Sequence, residues 1–298
     1  MWANFVLFML MSILTVGVKS QKDCRFGFHS GSWGVKIILT AVLCVCSFMI
    51  SPNFFATKWQ WVESFGSMCY NSVQVWVLVR GIHSISASLR QTKTMSHGII
   101  QVLVVLMIYA FCYTVSVFQY RWAKTGSFDH VISIENMVLM ALITAISLMT
   151  FVREATPASG LTQASVVSLQ IIVFTYGTTD KNIDLLVSIS SGAIFMFCAI
   201  YMCFRLNNTA SAHVMQDDDG EDDVTDLIPQ SNNKGVGYSC SFFHLFFALA
   251  SLRVSSILSL AQDTSVSDSS IWFMVASSIL VASVYVWSLV YPVISKKK

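Results

Sequence analysis

Long apolar stretches, separated by short polar segments, recur along the whole chain. A helix needs about 20 mostly apolar residues, within a range of roughly 17 to 25, to cross a bilayer. Because lipid offers the backbone no hydrogen bonds and spanning strands would be about half as long, helices are the expected form. The pattern predicts an all-α multi-pass membrane protein, a single membrane domain over residues 1–298, with nine transmembrane helices at 2–18, 33–50, 61–79, 98–120, 131–152, 161–177, 185–204, 238–260 and 271–294.

Composition supports a membrane protein. Hydrophobic residues make up 55% of the chain and charged residues only 11%, against roughly a quarter charged in an ordinary soluble domain. Seven of the sixteen acidic residues lie in one stretch, DDDGEDDVTD, at 217–226. The net charge of +2 is therefore a difference between separate regions, and we expect no nucleic-acid partner.

Lys and Arg are unevenly distributed between alternate loops. If the first helix runs from outside to inside, thirteen of them are cytosolic and four are external. Because positive residues are retained on the cytosolic side, the carboxyl terminus is expected to be cytosolic. The odd number of spans leaves only Met1 outside, so we expect a truncated amino terminus. The alternative is a cleaved signal peptide at 2–18, although no basic residues precede its apolar run.

The segment 205–237 is predicted to be a mobile acidic cytosolic loop, because its acids, amides and glycines cannot bury apolar surface. One interpretation is a solvated linker. The other is a docking or sorting segment, since Asp226 followed by Leu227 and Ile228 is typical of short signals that trafficking adaptors bind.

Small and hydroxylated residues recur at helical spacing in two predicted spans. They are Ala248, Ser251, Ser255 and Ser259 in the eighth, with His244 one turn before them, and Asn136, Met140, Thr144 and Ser147 in the fifth. Such faces allow close helix packing with hydrogen bonds across the interface. They also suit a polar groove along which a lipid headgroup moves while its tails stay in the bilayer.

Arg253 lies inside the eighth span, where an ionised side chain is costly. One interpretation is that its stem reaches the outer interface and leaves the charge in water. The other is that Arg253 turns toward Glu63 or Glu135, each near the outer start of an inward-running helix, and lines the mouth of the groove. A lipid phosphate would then exchange for the carboxylate on the planar guanidinium.

Five motifs, in order along the chain, resemble those of the serine incorporator (TDE/TMS) family. They are FHSGSWGVK at 28–36, the segment 74–84 with its His83-Ser84 pair, PASGLTQAS at 157–165, YSCSFFHLFFALASL at 238–252 and YVWSLVYP at 285–292. The chain resembles a divergent member that lacks the amino-terminal span. Arg80 stands where the family usually has an acid.

The resemblance implies two helical bundles separated by a long tilted helix, Trp61 to Ile85, and a role in handling serine-derived lipids. The resemblance adds Gln74, Arg80 and His83 to the candidates that the polar residues inside the predicted spans suggest. The complete set of lipid-groove candidates is Glu63, Gln74, Arg80, His83, Glu135, Asn136, His244, Ser251, Arg253 and Ser255.

Three functional classes remain open. An ATP-independent phospholipid scramblase or carrier, supporting phosphatidylserine and sphingolipid metabolism, uses the groove. A non-catalytic scaffold that brings serine to lipid-synthetic enzymes uses cytosolic surfaces such as the acidic loop. An enzyme is not expected, because the spans contain no paired carboxylates for acid-base or metal chemistry. No cofactor or metal is expected either.

The expected partners are membrane phospholipids, with lipid-synthetic enzymes or trafficking adaptors at the acidic loop; a homo-oligomer is left open. The expected location is the plasma membrane or an endomembrane such as the endoplasmic reticulum or Golgi.

Overall fold

A computed structural model of the protein describes residues 1–18, 23–51, 53–91, 95–122, 128–150, 160–175, 191–201, 239–262 and 268–296. Regular secondary structure in these ranges is helical, as the apolar pattern predicts. The helices are α1 Trp2–Leu14, α2 Cys24–Ser30, α3 Trp33–Met49, α4 Gln60–Gln91, α5 Met95–Trp122, α6 Phe128–Leu148, α7 Leu161–Thr175, α8 Ser191–Tyr201, α9 Cys240–Gln262 and α10 Asp268–Lys296. A π-helical segment, Phe54–Trp59, leads into α4. The predicted acidic loop, 205–237, lies outside the described residues.

Four helices are long and apolar enough to cross a membrane, and they coincide with the fourth, fifth, eighth and ninth predicted spans. Their apolar segments are Gly98–Arg121, His130–Leu148, Cys240–Ile257 and Trp272–Tyr291. Helices α1, α3, α7 and α8 are apolar but shorter over the part of the chain that is described. Helix α4 has the length, but polar residues interrupt its apolar character. Length and composition thus support four of the nine predicted spans and do not establish the other five.

Helices α1 and α4 end at residues other than the predicted boundaries. Helix α1 ends at Leu14 rather than at residue 18, because a turn follows it. In this turn Gly17 adopts a φ of +76°, a conformation that residues other than glycine rarely adopt. The Arg25 guanidinium donates to the Val16 carbonyl oxygen at 3.1 Å, which ties this turn to α2. Helix α4 continues well past residue 79, to Gln91, consistent with the apolar rhythm that runs through Ile85.

The chain divides into two compact units. The first contains Met1–Tyr70 and Ala199–Asp263, and the second contains Asn71–Cys198 and Thr264–Lys298. In the first unit, α1 packs along α9 and also contacts α2 and α3. The Phe8 and Phe247 rings lie 5.6 Å apart, and Ser12 Oγ donates to the Ser241 carbonyl oxygen at 2.9 Å.

Helix α4 approaches α9 closely at Gly66. A Cβ atom at this position would lie 2.1 Å from Leu252 Cδ1 and 3.1 Å from Leu252 Cβ. The absence of a side chain at Gly66 is therefore what allows the first turns of α4 to pack against α9.

In the second unit, α7 packs against α5, α6 and α10. Nearly every residue from Gln163 to Thr175 is buried. The apolar core around it consists of Val75, Ile143, Ala164, Val167, Ile171, Phe174, Val281, Ala282, Tyr285 and Leu289. Protein rather than lipid therefore surrounds α7, and this arrangement lets an otherwise apolar helix carry two glutamines.

Candidate functional site

In the first unit, polar side chains meet where the start of α4 packs on α9. Glu63 is 4% exposed, and its Oε1 accepts a hydrogen bond from the Ser255 hydroxyl. The half-buried Arg253 donates from Nη1 to Ser67 Oγ at 3.2 Å. Ser67 lies one turn after Glu63 on α4, so an acidic and a basic side chain occupy the same helix interface. We call Glu63, Ser67, Arg253 and Ser255 the α4–α9 polar contact.

The small-residue face of α9 points inward. Ala248, Ser251 and Ser255 are all buried, whereas no burial is described for Ser259. The Ser251 hydroxyl donates to the Ala248 carbonyl oxygen of its own helix at 2.7 Å. Ser251 therefore lies on the same face as Ser255, one turn before it, with its hydroxyl satisfied within the helix.

His244 belongs to a different contact, two to three turns earlier on α9. His244 Nε2 lies 3.1 Å from His29 Nδ1, with the two rings nearly perpendicular at 80°. One nitrogen must donate and the other accept, so at least one of the two imidazoles is neutral. Lys36 Nζ donates to the His29 carbonyl oxygen at 2.9 Å. Burial, together with the Lys36 charge, lowers the pKa of His29, which keeps it uncharged at neutral pH.

In the second unit, the candidate Gln74 joins α4 to α7. Gln170 Nε2 donates to Gln74 Oε1 at 2.9 Å, and both side chains are buried. About two turns earlier on α7, Gln163 Nε2 lies 3.4 Å from the Val79 carbonyl oxygen of α4. These amides make α7 and α4 a hydrogen-bonded pair inside an apolar core.

The neighbouring candidates Glu135 and Asn136 on α6 make contacts with different helices. Glu135 Oε1 accepts from Ser278 Oγ of α10 at 2.7 Å. Asn136 Nδ2 donates to Thr175 Oγ1, at the end of α7, at 2.6 Å. Ser147, on the same face as Asn136, lies 3.4 Å from the Tyr285 hydroxyl. This is the geometry expected of helices that pack closely and hydrogen-bond across their interface.

Arg80 and His83 lie on the exposed side of α4. The Arg80 guanidinium carbon is 4.3 Å from the centroid of the Trp76 ring, a cation–π contact. The candidates thus separate into three sets: the α4–α9 residues with His244 in the first unit, the buried amides and Glu135 in the second, and the exposed Arg80 and His83.

Several residues in these contacts are absent from the set that the pattern predicts, namely His29, Ser67, Gln119, Gln170 and Thr175. Two of them carried a usable signal. Gln119 and Gln170 are amides within the predicted spans 98–120 and 161–177, and polar groups inside a span usually have a role. Nothing in the residue types or spacing around His29 and Ser67 indicates which helix each would contact.

Comparison with known proteins places the whole chain in one family. Residues 1–298 match the family model for serine incorporator (Serinc). A probable serine incorporator from Monosiga brevicollis is 25% identical over 98% of this chain and 76% of its own length. One from Nematostella vectensis is 25% identical over 96% of this chain and 76% of its own. Serine incorporator 2 from Bos taurus is 22% identical over 98% and 76%. With its apolar helices and a match along its entire length, the chain is an integral membrane protein that belongs to the serine incorporator family.

Proposed function

We propose that this protein moves phospholipids between the leaflets of its membrane without ATP, as a scramblase or carrier that supports phosphatidylserine and sphingolipid metabolism. The α4–α9 polar contact is the observation that carries this proposal. Transfer of a headgroup through a bilayer is limited by the cost of removing water from polar and charged groups. Side chains that offer hydrogen bonds at intermediate depth lower that cost.

Each residue of the α4–α9 polar contact has a suitable role. The Arg253 guanidinium can bind a phosphate through its planar fork, and its hydrogen bond to the Ser67 hydroxyl is one that a stronger acceptor replaces readily. The Ser255 hydroxyl, which donates to Glu63, both donates and accepts without adding charge. No covalent bond changes in such a process, so we propose a non-enzymatic activity that needs no cofactor.

The proposal includes the predicted membrane arrangement: nine spans, a cytosolic carboxyl terminus, and residence in the plasma membrane or in an endomembrane. It also includes membrane phospholipids as the direct partners.

A scaffold that brings serine to lipid-synthetic enzymes is the second candidate. The acidic run at 217–226 favours it, because a dense cluster of like charges suits a partner with a basic surface.

The test is reconstitution of the purified full-length protein into liposomes that contain fluorescent phosphatidylserine or phosphatidylcholine in both leaflets. A membrane-impermeant reductant added outside bleaches the outer leaflet at once and the inner leaflet only as lipids flip. We expect rapid bleaching beyond the outer-leaflet half, without ATP. Bleaching no faster than in protein-free vesicles would reject the scramblase and favour the scaffold.

A further inference from the structure

Two amide side chains meet the end of α7 with fixed orientation. Asn136 Nδ2 donates to Thr175 Oγ1 at 2.6 Å, and Gln119 Nε2 donates to the Thr175 carbonyl oxygen at 3.4 Å. The Thr175 hydroxyl donates to the Ile171 carbonyl oxygen at 3.0 Å, so it can only accept from Asn136. A backbone carbonyl also only accepts. The nitrogens of both amides must therefore face Thr175, and their oxygens point elsewhere.

The two amide oxygens are buried acceptors that lack a hydrogen-bond donor. Asn136 is 0% exposed and Gln119 is 1% exposed, and neither Asn136 Oδ1 nor Gln119 Oε1 has a partner among the described residues. A buried acceptor without a partner costs free energy. Two such side chains in contact with Thr175 favour a bound group that pairs with oxygen acceptors, such as a cation or a hydrogen-bond donor.

The surrounding electrostatics favour a cation. Glu135 precedes Asn136 on α6, and its Oε2 is also buried without a partner in the described part of the chain.

We infer that Gln119 Oε1 and Asn136 Oδ1, whose amide nitrogens contact Thr175 of α7, are ligands of a bound alkali cation. Neutral amide oxygens are hard ligands that suit such ions. Glu135, next to Asn136 in the sequence, can balance one positive charge, whereas a buried divalent ion would need more. Na⁺ and K⁺ share this ligand chemistry. The inference is independent of whether the protein moves lipids.

Thermal unfolding of the full-length protein in detergent micelles tests the site. NaCl or KCl replaces N-methylglucamine chloride at constant ionic strength and constant chloride. A cation that binds the folded state raises the unfolding midpoint progressively with its concentration. We expect this rise with one or both alkali salts, and comparison of the two identifies the preferred ion.

Three substitutions on α5 make the test specific. Gln119→Leu removes a ligand and should abolish the rise in the unfolding midpoint. Gln119→Glu loses the Nε2 donor to the Thr175 carbonyl oxygen, but it keeps an acceptor oxygen and adds charge, so the midpoint should rise at about tenfold lower cation concentration. Gln101→Leu is the matched control, because Gln101 donates to Thr162 at the opposite end of α7, at 2.7 Å, and should retain the full rise.

The inference is overturned if the wild-type midpoint does not respond to either cation, which would leave ordered water as the occupant. It is also overturned if Gln119→Leu responds as the wild type does. Should Gln119→Leu not fold, an unchanged concentration dependence in Gln119→Glu overturns it equally.

Discussion

Arg253 lies inside an apolar helix, where an ionised side chain needs water or a polar partner. Its Nη1 atom donates to the Ser67 hydroxyl, and Ser255, two residues later on α9, donates to Glu63. The sequence suggested Glu63 or Glu135 as the partner of Arg253. The structure places Glu63 one turn from Ser67, whereas Glu135 belongs to the other unit. The pairing of Arg253 with Glu63 during lipid movement therefore stays a prediction of the proposed function.

Replacing Arg253 should slow lipid movement without preventing folding. Arg253→Gln keeps one hydrogen-bonding group but loses the charge that binds phosphate, and hydrogen bonds to charged groups contribute about 1.5–3 kcal/mol. We expect a roughly tenfold slower rate, equivalent to about 1.4 kcal/mol, in the liposome assay. The amount of protein at the cell surface should not change. Arg253→Lys should be intermediate, because an ammonium lacks the planar fork.

Glu63, the predicted partner of Arg253, supplies the control. If Glu63 competes with lipid phosphate for Arg253, Glu63→Gln should change the rate in the wild-type background and much less in Arg253→Gln. Full activity of Arg253→Gln would contradict the role of Arg253, and strictly additive effects would contradict its coupling to Glu63.

The His29–His244 pair predicts a pH-dependent stability. Burial and the Lys36 charge lower the pKa of His29 in the folded protein, so at mildly acidic pH the unfolded chain binds a proton that the folded chain does not. Stability should therefore fall as the pH drops below about 6.5, the ordinary pKa of histidine. His29→Gln should weaken this dependence, as measured by thermal unfolding in detergent between pH 5 and 8. The carboxylates titrate alike in the wild type and in His29→Gln, so their contribution to the pH dependence cancels when the two are compared. Identical pH profiles of the unfolding midpoint would show that His29 does not cause the dependence.

At the scale of elements, Gly66 sets the approach of α4 to α9. Gly66→Ala would place a methyl group 2.1 Å from Leu252 Cδ1, so the leucine or the helix must shift. Overpacking of this kind typically costs about 1–3 kcal/mol, and we expect a lower unfolding midpoint. Gly98→Ala on α5 is the matched control, because no atom lies within 4 Å of its would-be Cβ and the midpoint should not fall. An equal response of the two variants would show that the close approach is unimportant.

Sequence patterns predicted some elements better than others. The long apolar runs of α5, α6, α9 and α10 are explicit in the sequence, and the structure confirms them as long apolar helices. Helix α7 has a similar composition, yet it is enclosed by other helices, a property that depends on tertiary packing and leaves no local pattern. The contact between His29 and His244 joins residues 215 positions apart, so neither residue type nor spacing could reveal it.

At the scale of the whole molecule, each unit contains its own buried polar residues. The first holds acidic, basic and imidazole groups around α9, and the second holds mainly amides and hydroxyls around α7. The two sets differ in chemistry: charged groups suit a charged headgroup, and neutral oxygens suit a small cation. The liposome and cation experiments therefore test the two units separately.

The orientation of the last two helices in the membrane can be tested whatever the total number of spans. Helices α9 and α10 are both long and apolar enough to cross a membrane. If both cross, the acidic segment and the carboxyl terminus lie on the same side. Lys234 precedes α9 and Lys296 to Lys298 lie at the end of α10, whereas residues 261–270, between the two helices, contain no Lys or Arg. The side shared by the acidic segment and the carboxyl terminus should therefore be cytosolic.

An epitope inserted after Asp219, or added after Lys298, should bind antibody only in permeabilised cells. Ser267→Cys should react with an impermeant thiol reagent in intact cells. If both epitopes bind antibody in intact cells, the orientation is the reverse of the predicted one. If only one of them does, the epitopes lie on opposite sides, and α9 or α10 does not span the membrane.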